Sequence, residues 1–157
     1  MKTQGQIVEY YRHNKEEDFL GFAGEVLLCY LDFDHAKEFL KPKTYSDEWN
    51  TDVYPLTREK LLADMKDYMA FAWEKVENHR GISASRSVEK MEAWLWLLED
   101  EKTLSFAKNE ANYKNYGAPV LKKICEVYGF AIPDSKEIQN MTRGERCCVD
   151  CDEGCGK

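Results

Sequence analysis

Long apolar runs are missing from this chain. The longest, residues 26–31 and 93–98, fall far short of the roughly 20 residues that a membrane-crossing helix needs. No apolar stretch follows the basic residue in the opening MKTQGQIVEYYRH, so no secretory leader is expected and the protein is read as soluble and cytoplasmic. Histidine is scarce at three residues, and no Ser/His/Asp or Cys/His nucleophile can be assembled around them. A Gly-rich phosphate loop is absent, which removes the commonest nucleotide-binding device. Strand-like alternation of useful length is absent too, as is any internal repeat. Positive charge is in deficit: the net charge is −7, and nucleic-acid binding needs a cationic face to displace counterions. These absences exclude a membrane span and argue against a nucleic-acid binder or a familiar hydrolase triad.

Helical periodicity remains. Ile7, Val8 and Tyr11 share one side of a first helix, and Phe19, Phe22, Ala23, Val26 and Tyr30 mark a second over about 16–31. Asp32 or Asp34 is placed to cap a brief third helix. Residues 42–56, with two prolines and several short polar side chains, read as a loop. Thr57 is an N-cap candidate for a long helix with Leu61, Met65, Tyr68, Ala72 and Val76 in one stripe, widened by Leu62, Met69 and Trp73. Asp64, Asp67 and Glu74 fall on the other side. A second long helix begins near 83–87, carries Val88, Met91, Leu95 and Leu98, and is expected to be the most enclosed. A weaker helix over 101–109 follows, and a last one starts at Pro119 and ends before Gly129. Cys29 and Cys125 lie in apolar stretches and read as core thiols. The pattern predicts an all-α domain of five to seven helices over 1–133, bundle-like or orthogonal. Residues 134–157 read as a linker or loosely docked arm with a Cys-rich tail.

That tail carries Cys147, Cys148, Cys151 and Cys155, four of the six cysteines, among few apolar neighbours. Cys148-x2-Cys151 is a spacing that presents two thiolates to one zinc. Cys155 supplies a third ligand and Cys147, adjacent to Cys148 and pointing elsewhere, an optional fourth. Redox cycling or a disulfide is the competing use of the same thiols.

Three further features carry candidate chemistry. In the turn HRGISASRS, residues 79–87, Arg80, Ser83, Ser85 and Arg86 meet at a helix start and form a candidate anion site. Simple capping by Ser83 or Ser85, with the arginines paired to surface acids, is the plainer account. Carboxylates pair at three-residue spacing (Asp64/Asp67, Glu74/Glu77, Glu89/Glu92), as a magnesium site would require and as any wet helix face displays. Phe71 and Trp96 fall on acidic helix faces, where a large exposed aromatic anchors a protein partner unless another segment covers it.

These readings favour a non-enzymatic cytosolic helical module, an adaptor or inhibitor of a protein partner, with a zinc-binding tail. The alternative is a small helical enzyme. It would be a magnesium-dependent phosphate-ester or nucleotide hydrolase using the carboxylate pairs with Arg80 and Arg86, or a thiol redox protein using the tail cysteines.

Overall fold

A computed structural model describes residues 1–13, 22–36 and 55–142. The 14–21 part of the expected second helix, most of the 42–56 loop and the tail with Cys147, Cys148, Cys151 and Cys155 lie outside the described residues. Within them the chain is all-helical, with no strand: seven helices of seven residues or more, and one single-turn helix. In chain order these are α1 (Gln4–His13), α2 (Phe22–Leu28), the single turn α3 (Phe33–Ala36) and α4 (Arg58–Glu77). They continue as α5 (Gly81–Leu98), α6 (Glu101–Lys108), α7 (Ala118–Tyr128) and α8 (Lys136–Thr142). Two 3-10 turns, Glu110–Asn112 and Asn115–Gly117, join α6 to α7.

Helix α5 is the centre. Nine of its residues are buried, among them Val88, Met91, Trp94, Leu95 and Leu97, and α2, α4 and α6 all pack on it. Apolar side chains therefore face several directions around its axis, as they do on a helix surrounded by others. On α4 the buried set is Leu61, Met65, Met69, Ala72, Trp73 and Val76, the predicted stripe, with Leu62 and Tyr68 half-buried at its margins. Thr57 caps α4 as expected, its hydroxyl accepting from the Lys60 amide at 3.2 Å, a contact worth about 1 kcal/mol. Asp32 caps α3: its Oδ1 accepts from the His35 amide at 3.0 Å and meets His35 Nδ1 at 2.6 Å.

Local sequence also sets the ends. Pro119 stands in the first turn of α7, and Gly129 closes that helix in the left-handed conformation with φ +76°. Gly117 at φ +86° is obligatory for packing as well as conformation. A Cβ there would lie 2.6 Å from Val88 Cγ2 and 2.9 Å from Tyr113 Cε1.

Three expectations change. The second long helix starts at Gly81, not at 83–87, and its N-cap is Arg80, which makes no side-chain capping bond. Neither Ser83 nor Ser85 caps it. Cys29 is exposed, because α2 ends at Leu28 and the thiol falls in the turn beyond, whereas Cys125 is buried as predicted. The segment after Pro133 is no loose arm at its start: α8 buries Ile138, Met141 and Thr142 against α7 and α4. A short helix with only two large apolar residues has a weak periodic signal, yet both point inward.

Candidate functional site

A cavity of about 550 Å³ opens between α2, the turn after it, α4 and α5. Such a volume lies within the range of ligand and side-chain pockets. Its floor and walls are Val26, Cys29, Tyr30, Tyr68, Phe71 and Trp94, and its polar groups are Glu25, Asp64, Asp67 and Lys90. Among the described residues, four aromatic rings and three carboxylates thus face one space with a single ammonium.

The floor is held by a hydrogen-bonded chain across three elements. Tyr30, almost fully buried, donates its hydroxyl to Asp64 Oδ2 at 2.6 Å and accepts from Trp94 Nε1 at 2.9 Å. Burial, and then the bond to Asp64, push the Tyr30 hydroxyl far above its ordinary value, so it remains a donor at any physiological pH. Lys60 reaches Asp64 Oδ1 at 3.0 Å from one turn earlier on α4. Asp64 was expected on the wet face, but this pairing draws it into the cleft wall with its side chain 16% exposed. A buried, fully paired polar network of this kind fixes the relative position of its helices.

The rim is aromatic. Tyr68 packs between Trp94, with centroids 5.5 Å apart, and Phe71, at 5.2 Å, its ring tilted against both. Phe71 is 43% exposed, the position expected for a partner-binding aromatic. Two ammonium groups of the chain already lie against these rings. Lys75 Nζ is 4.4 Å from the Phe71 centroid, and Lys90 Nζ is 5.4 Å from that of Tyr68 while it pairs with Glu25 at 3.5 Å. The Cys29 thiol, donating to the Glu25 carbonyl at 3.4 Å, is pushed above its ordinary value by partial desolvation and by Asp64 and Glu25, against Lys90. It is therefore a weak nucleophile.

Trp96, Arg80, Ser83, Ser85 and Arg86 do not line this site. Trp96 is half-covered: Tyr10 of α1 packs on it with centroids 5.2 Å apart, and Lys2 Nζ lies 4.9 Å from its ring. The two cavities it lines hold only about 170 and 80 Å³. Arg80 sits at the N-cap of α5, and Arg86 lies about 9 Å further along the axis at the usual rise per residue. Between them the Ser83 carbonyl accepts the Ser87 hydroxyl at 2.9 Å, and Ser85 shares a hydrogen bond with Tyr113.

Of the carboxylate pairs, only Asp64 and Asp67 reach the cleft. Glu74, Glu77 and Glu89 are exposed on the surface. Glu92 is raised above the usual carboxylate range by burial, with Glu89 adding to the shift against Lys108. Among the described residues no three His, Cys, Asp or Glu side chains converge where a cation would sit. Neither arginine lines the cleft, so the groups a phosphate-ester hydrolase would need stand apart.

Sequence reasoning missed Glu25, Lys90 and the convergence itself, since three separate elements make it. One signal was available. Lys60, Asp64, Tyr68 and Phe71 recur at four-, four- and three-residue steps, one continuous helical face beside the core stripe. No helix among the described residues is long and apolar enough to cross a membrane. No protein family, no curated protein and no solved structure matches this chain.

Proposed function

We propose that the chain is a non-enzymatic cytosolic interaction module, an adaptor or inhibitor, that receives a segment of a protein partner in the α2/α4/α5 cleft. The observation that carries this is the cleft's lining: a preorganised aromatic wall with Phe71 exposed at its lip. Exposed, rigid aromatics at the edge of a pocket are the residues that dominate protein interfaces. The Tyr30–Asp64–Trp94 chain supplies the rigidity that keeps the ordering cost of binding low.

Selection of a displayed peptide library against the full chain tests this reading. Selected peptides should bind the Phe71→Ala variant about 30-fold more weakly, the effect of losing one interface anchor. Peptides that bind the variant and the parent equally would place the docking surface elsewhere.

The tail extends the same proposal on spacing alone. Cys148, Cys151 and Cys155, with Cys147 optional, bind one zinc ion per chain, because soft thiolates at knuckle spacing select it over magnesium or calcium. Zinc titration of protein purified under reducing conditions should saturate at one equivalent and fail in Cys148→Ser. Protein that takes up no zinc contradicts it.

A further inference from the structure

The charges around the cleft identify which group a docked segment brings. Resting on the reading of the cleft as a docking surface, we infer that its occupant inserts one positively charged side chain, whose head meets Asp67 and whose aliphatic stem lies on Tyr68 and Phe71. Asp64 is matched by Lys60 at 3.0 Å, and Glu25 by Lys90 at 3.5 Å. Asp67 lines the same space and has no ion-pair partner among the described residues. While the cleft is open, water solvates this exposed carboxylate. A segment seated over the rim removes that water, and an apolar or acidic occupant leaves a buried, unpaired negative charge. A single cation pairs with it.

The rings agree with the charges. Each rim aromatic already has a lysine ammonium of its own chain near its face, Lys75 at Phe71 and Lys90 at Tyr68. The rings of this wall therefore attract a flexible stem ending in a cation. Lys90 has an additional consequence. Its ammonium, between Glu25 and Tyr68, shares the cleft with the incoming cation and repels it, so it lowers affinity.

Nuclear magnetic resonance titration of the full chain with blocked single-residue amides reads this directly. The probes are the N-acetyl methylamides of arginine, lysine, trimethyl-lysine, citrulline and norleucine. The three cationic probes should shift the Tyr68 and Phe71 signals with dissociation constants on the order of a millimolar, as a single contact site allows. Citrulline, matched to arginine in length but neutral, and norleucine, the lysine stem without its ammonium, should bind at least about tenfold more weakly. Asp67→Asn should weaken the cationic probes about fivefold, and Lys90→Met should tighten them about threefold relative to norleucine. Raising the ionic strength should weaken only the cationic series. The ranking among the three cations distinguishes a guanidinium from an ammonium or methylated ammonium as the natural head group. Equal binding of norleucine, no cleft shifts from any cationic probe, or unchanged affinity in both variants overturns the inference. The docking reading is then still decided by the Phe71→Ala comparison with selected peptides.

Discussion

Asp100 illustrates how a single side chain ties neighbouring helices together. It caps α6, accepting from the Thr103 amide at 3.1 Å, and its other oxygen takes the Tyr128 hydroxyl of α7 at 2.7 Å. Partial desolvation opposes ionisation, but the bonds from Tyr128 and Thr103 outweigh it and hold the carboxyl below the usual carboxylate range. A carboxyl depressed in the folded state stabilises that state fully above the unfolded carboxylate pKa and loses the contribution as pH falls through the folded value. Asp100→Ala should therefore cost about 1–2 kcal/mol at neutral pH, seen as a melting temperature lower by a few degrees. The gap to the parent should narrow as pH falls below the usual carboxylate range. An acid-stability profile in which parent and variant stay parallel would remove this role for Asp100. Much at this scale was legible in the sequence, since Thr57, Asp32, Pro119 and Gly129 act through their own few neighbours. Cys29 was not, because one turn of helix decides whether that thiol faces the core or the cleft.

The element most dependent on an exact backbone is the connection between α6 and α7. Asn115, Tyr116 and Gly117 have φ of +50°, +64° and +86°, so three successive residues adopt the left-handed conformation. The Asn115 side chain donates to the Met141 carbonyl at 3.1 Å, and the Tyr116 ring packs edge-on against His79 with centroids 5.3 Å apart. This strained turn therefore joins α8 to the α4–α5 corner. Gly117→Ala adds a conformational cost to a clash with Val88 and Tyr113, together about 2–4 kcal/mol. Gly129→Ala has φ +76° but open space around the new methyl and should cost only about 1 kcal/mol. Chemical denaturation of the two variants checks the difference, and equal losses would mean that the close approach at Gly117 relaxes at no cost. The long helices were readable because their stripes are sustained over several turns. This connection was not, since its conformation is imposed by partners 20 or more residues away.

At the scale of the whole molecule, α8 moves the boundary of the folded body past Pro133. Ile138 is fully buried, and His79 pairs with Glu137 across the α4–α8 contact. A chain ending after Thr142 should keep a cooperative thermal transition near that of the full chain. One ending after Pro133 should lose about 2–5 kcal/mol, since the site of Ile138 is left empty. Matching melting curves for the two truncations would show that α8 contributes nothing. The all-helical class followed from periodicity, but the cleft did not, because it forms where residues from α2, α4 and α5 meet and no local pattern records that meeting. The exposed aromatic was placed by its spacing on α4, whereas Trp96 on α5 is covered by α1, a contact that helical projection alone cannot show. The central claim, that the α2/α4/α5 cleft is the docking surface, is tested most directly by intermolecular nuclear Overhauser effects in the complex of the full chain with a selected peptide. The side-chain methylenes of a basic peptide residue should give cross-peaks to the ring protons of Tyr68 and Phe71. Cross-peaks confined to another face, such as the exposed Ile82 at the start of α5, would contradict the account.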